Sequence, residues 1–301
     1  MKAPRFSIIV AVMLAFVLGA LPGGAAEADR GDNQPLSALT PATNTYLEKI
    51  VFPTVKIECT VEIYGHEATS SGSGSILNSR YILTAYHVVD TAIDITAIVQ
   101  PNETRVPCTV VCHGDLDSLD YAILQMDRTP PETSGLIVPG NDAPEIEIEH
   151  FVDVISPESF GNLATGQEVV IAGHPLGGEI HITEGRLCAK TNGFYSTSAP
   201  VIHGNSGGPV FTDDYQLVGV LVRVAVSRGV PITHINFFVP LSSIKEDMHD
   251  KGFDFVWAGE APPPAPEEDQ VEPEDTPEED EESSNILMIG RYETITLLFH
   301  D

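Results

Sequence analysis

Basic residues are scarce in this chain, which has 15 Lys plus Arg against 44 Asp plus Glu and a formal net charge of -29. Proteins that bind nucleic acids or anionic membranes attract phosphate groups through a positive surface. The charge balance therefore argues against both kinds of partner, and we expect no nucleic-acid binding.

Long apolar runs are almost absent, and the clearest one lies near the N-terminus. Lys2 and Arg5 precede an uncharged run over residues 6–21, which is followed by Pro, Gly and the small-residue pattern Ala-Glu-Ala at 26–28. This order is typical of a secretory signal peptide, and the run is shorter than the ~20 apolar residues that a membrane-spanning helix needs. We predict a signal peptide over residues 1–28, a secreted or periplasmic protein, and no membrane association after signal removal. An uncleaved membrane anchor is the less favoured alternative.

Cysteine is also rare, and cofactor motifs are missing. The four cysteines are Cys59, Cys108, Cys112 and Cys188. An oxidising compartment allows disulfides, but Cys108 and Cys112 on one strand would lie ~13 Å apart, beyond the ~7 Å Cα limit for a bridge. One bridge among the other pairings and four free, buried thiols remain as alternatives. The sequence has no CxxC pair, phosphate-cradling glycine motif or metal-ligand spacing, so we expect no cofactor and no metal.

Short β-type runs separated by turn residues fill residues 46–257, without helical periodicity until near the end. The predicted strands cover residues 54–63, 73–77, 81–84, 95–99, 106–111, 121–126, 168–172, 179–183, 209–211, 217–226 and 235–239. Residues 242–251 predict a closing helix, capped by Ser242 or Ser243 and stopped at Gly252. An acidic, irregular stretch divides the strands into two groups of similar size, which favours two β-barrels joined by a linker.

The composition changes abruptly after the closing helix. Residues 259–282 contain twelve acidic residues, six prolines and no Lys or Arg, so they cannot bury enough apolar area to offset their chain entropy. The predicted organisation is a signal peptide (1–28), an N-terminal extension (29–45), a first barrel (46–128), an acidic linker (129–160), a second barrel with its helix (161–257), a disordered acidic linker (258–284) and an apolar tail (285–301). That tail either docks on the body or on a partner chain, or stays loosely ordered.

A serine between glycines, in Gly-Asn-Ser-Gly-Gly at 204–208, makes Ser206 a candidate nucleophile. Acyl transfer to a serine requires a base, a carboxylate that orients the base, and donors for the oxyanion. The glycines permit a tight turn, in which the backbone N–H groups of Gly204 and Ser206 can point at one spot as an oxyanion hole. Taken alone, the same string also fits an ordinary loop.

Two further residues complete this set. His87 lies at the end of an apolar strand, where scaffolds present catalytic side chains. Asp120 directly precedes another apolar strand, where a carboxylate would be desolvated enough to fix the histidine tautomer. Asp115 and Asp117 compete for this role, but they lie in a polar, Gly-containing loop typical of solvated residues. We therefore assign His87 as the base and Asp120 as the orienting carboxylate.

The order His, Asp, Ser and the surrounding motifs resemble the chymotrypsin superfamily and, within it, the HtrA/Deg-type branch. The motifs are GSGSIL at 72–77, YILTAYHVV at 81–89, DYAIL at 120–124, GQEVVIAGHP at 166–175, TEG at 183–185, GNSGGPV at 204–210 and INFFVP at 235–240. The resemblance implies an all-β fold of two six-stranded antiparallel Greek-key barrels with a C-terminal helix. It also implies a secreted trypsin-like serine endopeptidase that cleaves polypeptide substrates through an acyl-enzyme. The alternative is a catalytically silent binding module that acts through its groove or its tail.

The resemblance also suggests where substrate side chains bind. It places Val201 and His203, before the serine, and Leu221 and Val222, on a later strand, around the primary pocket. The uncharged, aliphatic members of this set suit small or medium apolar side chains. His203 either contacts substrate or is a solvated bystander.

Three features depart from the family's pattern. No PDZ-like segment follows the protease body, which puts peptide sensing and cage formation in doubt. Asn205 replaces the Asp that digestive relatives use to hold a newly cut N-terminus, so activation by that route is not expected. Arg223 either favours acidic substrate residues or faces outward.

Overall fold

Six strands of the N-terminal half form the first of two barrels. The computed structural model describes residues 45–128, 146–191, 193–227 and 230–263. The strands are Thr54–Ile63 (β1), His66–Ile76 (β2), Tyr81–Thr84 (β3), Ala92–Val99 (β4), Thr104–His113 (β5) and Ala122–Met126 (β6). They close in the order β1-β2-β3-β6-β5-β4, and every neighbouring pair is antiparallel.

The later strands form the second barrel. They are Asp153–Val154 (β7), Glu168–Gly173 (β8), His181–Lys190 (β9), Tyr195–Thr197 (β10), Pro209–Thr212 (β11), Gln216–Ser227 (β12) and Val230–Pro240 (β13). The order β11-β8-β9-β10-β13-β12 closes through the pairing of β11 with β12, and β7 adds to β12 in parallel. The predicted all-β class with two six-stranded antiparallel barrels is confirmed.

Helices are short, and one of them follows the last strand as predicted. They are Tyr86–Val89 (α1), Pro157–Gly161 (α2), Leu241–Asp250 (α3) and Phe255–Ala258 (α4), with a π-helical turn at Leu47–Val51 and a 3₁₀ turn at Pro175–Gly177. The helix α3 begins directly after Pro240, and no side chain caps it. The predicted Ser242 or Ser243 cap is therefore wrong, because the strand runs to Pro240 and leaves no turn before the helix. The predicted stop is consistent with Gly252, whose φ is +78°.

The strands β3 and β6 of the first barrel lie between the two hydrophobic cores and are buried on both faces. Ile82 and Leu124 face the core of the first barrel. Tyr81, Leu83 and Ile123 face the larger core, which extends through the second barrel to α3. Strands buried on both sides are recognisable as continuous apolar runs, as these two are. The ends of β3 and β6 therefore lie at the seam between the barrels.

The four cysteines are unpaired, and Cys188 alone among them is exposed. Cys59 and Cys108 both pair with Ile95, from the two sides of β4. That places them two strand spacings apart, about 10 Å, which is too far for a bridge. Burial raises the pKa of the Cys59 thiol to about 11 and that of the Cys108 thiol to about 12.

Several predicted segments lie outside the described residues: the signal peptide, nearly all of the N-terminal extension, residues 129–145 of the interbarrel linker, most of the C-terminal acidic linker, and the tail. The described part of the interbarrel linker contains β7 and part of α2. No helix in the described ranges has the length and apolar character needed to cross a membrane.

Candidate active site

His87 is presented by the turn that follows β3. Ala85 is extended and forms the N-cap of α1, so the chain leaves the strand and immediately begins a helical turn. Val89 of that turn is buried and anchors it in the first barrel. The imidazole itself is partly exposed, with 31% of the side chain accessible. The sequence thus places a fixed but reachable imidazole at the seam.

Asp120 lies immediately before β6 and is almost completely buried, at 2% exposure. One carboxylate oxygen accepts the backbone N–H of His87 at 2.9 Å, and the other lies 2.6 Å from His87 Nδ1. Because a carboxylate accepts hydrogen bonds, this contact places the ring proton on Nδ1 and leaves Nε2 as an acceptor. The structure therefore brings these two predicted residues together, 33 positions apart in the chain.

The competing acids remain in the exposed loop, as predicted. Asp115 accepts hydrogen bonds from the N–H groups of Asp117 and Ser118 and from the Ser118 hydroxyl. These bonds, led by that of the Ser118 side chain, lower the pKa of Asp115. Both acids are exposed, and among the described residues only Asp120 of the three is hydrogen-bonded to His87, so Asp120 orients the imidazole.

The loop that carries Ser206 is held by hydrogen bonds on nearly all of its peptide groups. The His203 carbonyl accepts the N–H of Leu176 at 2.8 Å, and the Asn205 carbonyl accepts the N–H of Gly208 at 2.9 Å. The C=O and N–H of a trans peptide point in opposite directions. The N–H groups of the next residues, Gly204 and Ser206, therefore point away from these two partners.

Within residues 204–208, these same two N–H groups are the ones without a protein partner. Among the described residues, neither the Gly204 nor the Ser206 N–H has a protein acceptor, whereas the N–H groups of Asn205, Gly207 and Gly208 are all bonded. Two unpaired, fixed amides are what an oxyanion hole provides. The predicted pair of donors is thus available in the loop.

Glycines let this loop lie against the strand end that presents the imidazole. Gly204 and Gly207 have φ values of +96° and +82°, and a Cβ built on Gly207 would clash with the Ser73 carbonyl and the Thr84 hydroxyl. A Cβ on Gly72 would lie 2.6 Å from a Val88 methyl and 3.1 Å from the Ser206 carbonyl. The backbone of the serine therefore lies beside the residue that follows the histidine.

The predicted pocket residues divide into buried and exposed ones. Val201, Leu221 and Val222 are buried and belong to the large core, whereas His203 is exposed. Sequence reasoning missed two exposed apolar side chains beside the loop, Ile202 and Leu176. Leu176 adopts a left-handed backbone with φ +55°, which the Pro-Leu-Gly-Gly turn around it could have suggested.

Arg223 is partly buried and binds backbone carbonyls of the loop before Asp120. Its Nη2 donates to the carbonyls of Leu116 and Asp117, at 2.8 and 2.9 Å, and the guanidinium lies over the Phe194 ring. Arg223 therefore ties the second barrel to the loop that leads into Asp120.

No group of three or more His, Cys, Asp or Glu side chains in the described ranges is arranged to hold a metal ion. The seam instead provides an oriented imidazole, a nearby serine loop and two unpaired amides, a set that acyl transfer requires.

The chain is similar to known trypsin-like peptidases. The model of the trypsin-like peptidase domain matches residues 72–220. A probable periplasmic serine endoprotease, DegP-like, from Pseudomonas fulva is 28% identical over 194 residues, covering 62% of this chain and 35% of the relative. The serine protease Do-like HtrA of Bacillus subtilis is 27% identical over 210 residues, covering 62% of this chain and 41% of the relative. The chain thus spans well under half the length of these relatives.

A solved structure shows a similar fold. The HtrA-type protease AlgW with a tripeptide superposes with a TM-score of 0.54 and 18% identity, over 70% of this chain and 64% of that one. At this identity the similarity concerns the fold alone.

Proposed function

We propose, from the premise that this chain belongs to the HtrA branch of the trypsin-like peptidases, that it is a serine endopeptidase acting through an acyl-enzyme on Ser206. His87 is the general base, Asp120 orients it, and the amides of Gly204 and Ser206 bind the oxyanion. The observation that supports this most is the double hydrogen bond from His87 to one buried carboxylate. The relatives' names support polypeptide substrates and a periplasmic or secreted location.

The reaction proceeds in two halves. The Ser206 hydroxyl oxygen attacks the scissile carbonyl carbon while its proton passes to His87 Nε2, and the resulting imidazolium faces the Asp120 carboxylate. The negative oxygen of the tetrahedral intermediate accepts hydrogen bonds from the N–H groups of Gly204 and Ser206. His87 then returns the proton to the departing amine, the C–N bond breaks, and an ester to Ser206 remains. Water attacks this ester by the same route and releases the acid product.

The loop geometry supports a preformed oxyanion site. The bonded peptide groups on either side of Gly204 and Ser206 hold both donors before substrate arrives. Preorganised donors need no reorganisation during the reaction, and removing one typically costs about 100- to 1000-fold in kcat. A silent binding module would leave these unpaired amides and the Asp120–His87 pair without a function.

The substrate preference that follows is apolar. Val201, Leu221 and Val222 are buried and aliphatic, and His203 is exposed. We infer that small or medium apolar side chains enter the primary pocket, because these aliphatic residues suit them and the set includes no acid that would attract Lys or Arg.

Labelling with a fluorophosphonate tests the proposal. The probe should form one adduct, located on Ser206 by peptide mass spectrometry, and the adduct should disappear in Ser206→Ala and His87→Ala. The variant Ser242→Ala changes an exposed serine of α3 and should label like the wild type. A natively folded chain that neither labels nor cleaves casein would contradict the proposal.

Asp120→Asn extends the same test to the orienting acid. It should lower kcat by about 10⁴-fold, because an amide in place of the carboxylate favours the wrong histidine tautomer. Asp117→Asn is the matched control, since that side chain is exposed, and it should leave kcat unchanged. Equal effects of the two variants would sink the assignment of Asp120.

A further inference from the structure

Ser73 lies on β2 of the first barrel and is fully buried although it is polar. Its backbone N–H donates to the Ser206 carbonyl at 2.7 Å, and its own carbonyl accepts the Thr84 hydroxyl at 2.7 Å. A residue of one barrel thus holds the carbonyl of the serine that the other barrel carries. The proposed mechanism assigns no role to Ser73.

The hydroxyl of Ser73 makes two more bonds. Ser73 Oγ donates to the Gly204 carbonyl at 2.7 Å and accepts the His174 N–H at 2.8 Å. A serine hydroxyl has one proton and two lone pairs, so a carbonyl on one side and an N–H on the other fix its direction. Both partners are backbone groups, which cannot exchange these roles.

The Gly204 carbonyl needs such a partner because glycine itself restrains the backbone little. Gly204 has no Cβ, and glycine adopts positive and negative φ with similar ease. The peptide before it is fixed by Leu176, and the peptide after it accepts the Ser73 hydroxyl. Without that hydroxyl, the peptide after Gly204 keeps only the longer bond, 3.2 Å, from the Asn205 N–H to the Ile202 carbonyl.

We propose that Ser73 is a positioning residue that sets the oxyanion amides from the opposite barrel; this inference rests on the proposed peptidase function. Ser73 does not touch substrate. It acts through the carbonyls of Gly204 and Ser206, and its contribution is made when charge develops on the substrate oxygen rather than when substrate binds.

The chain contains a matched control two residues further along the same strand. Ser75 is also fully buried, but its hydroxyl has no hydrogen-bond partner among the described residues. Ser73→Ala and Ser75→Ala therefore remove the same atom from the same strand, and only the first removes a hydrogen bond to the nucleophile loop, the one to Gly204.

The test measures kcat and KM on a peptide substrate, affinity for a peptide aldehyde that bonds to Ser206, and affinity for the cleaved product peptide. Ser73→Ala should lower kcat by about 10- to 100-fold, somewhat less than loss of a whole donor. Aldehyde affinity should fall by a similar factor, while KM and product affinity stay within about twofold. Ser75→Ala should match the wild type in all four measurements.

Other outcomes would overturn the inference. Wild-type kcat in Ser73→Ala would do so, as would a uniform loss of kcat, product affinity and aldehyde affinity, which indicates general misfolding. If Ser73→Ala does not fold, Ser73→Cys decides, since its weaker donor should reduce kcat with KM unchanged and wild-type kcat would refute the role. A wild-type chain that does not hydrolyse peptides instead refutes the proposed function, and the inference with it.

Discussion

The hydrogen bond between Tyr121 and Asp247 connects the residue between Asp120 and β6 to the helix α3. Tyr121 is fully buried, and its hydroxyl donates to Asp247 Oδ2 at 2.6 Å. Burial, and then the bond to Asp247, raise the pKa of Tyr121 far above its ordinary value. The phenol therefore stays protonated, and donates, throughout the working pH range.

Tyr121→Phe removes this hydroxyl and keeps the packing of the ring. A hydrogen bond to a charged group contributes about 1.5–3 kcal/mol. The lower end applies here, because Asp247 is 27% exposed and the Lys251 ammonium also donates to Oδ2 at 2.7 Å. For a domain of 150–250 residues, 1 kcal/mol shifts Tm by about 2–4 °C, so a loss of about 1.5 kcal/mol should lower Tm by about 3–6 °C.

Calorimetry and urea unfolding of Tyr121→Phe, Asp247→Ala and the double variant measure this bond directly. The cycle should give a coupling free energy of about 1–2 kcal/mol. Activity of Tyr121→Phe should change little, since the bonds between Asp120 and His87 do not involve the phenol. A coupling energy near zero, or a large loss of kcat at unchanged stability, would refute this reasoning.

Two further predictions concern cysteine reactivity and acid stability. Iodoacetamide at pH 8 should modify the exposed Cys188 in the native chain and spare Cys59 and Cys108, because burial raises the pKa values of their thiols. Rapid modification of Cys59 or Cys108 in the native chain, detected by mass spectrometry, would contradict this. Burial lowers the pKa of His174 below its ordinary 6.5. As pH drops below 6.5, the His174 imidazole therefore takes up a proton more readily in the unfolded chain than in the folded one, and the unfolding free energy should fall. Urea unfolding from pH 8 to 5 should show a shallower fall in His174→Asn, and an identical fall would exclude His174 as the cause.

The boundaries of strands with two buried faces were predictable from the sequence. The boundaries of strands with exposed segments were less predictable. The boundaries 54–63 and 81–84 agree with the structure to the residue. The outer half of β2 was missed because residues 66–72 are mainly polar and mostly exposed. Tyr195–Thr197 was missed because three residues are too few to establish a period of two.

The chemically distinctive residues of the site were predictable for a different reason. His87, Asp120 and Ser206 lie within motifs whose spacing resembles a known family, and the structure brings the first two into contact. The bond of Ser73 to Gly204 joins residues 131 positions apart. The pattern of a buried strand indicates that Ser73 is inside, but only the folded chain shows which loop it meets.

Gly207 packs tightly against Ser73 and Thr84. The rate of hydrolysis should therefore depend on how closely the two barrels dock. The proposed base belongs to one barrel and the nucleophile to the other, so their alignment depends on how closely the two bodies dock. A displacement of about 1 Å can cost about 100-fold in rate, while each barrel would keep its own ladder of backbone bonds. On warming, kcat should therefore fall at temperatures where far-ultraviolet circular dichroism still shows the native β-sheet content.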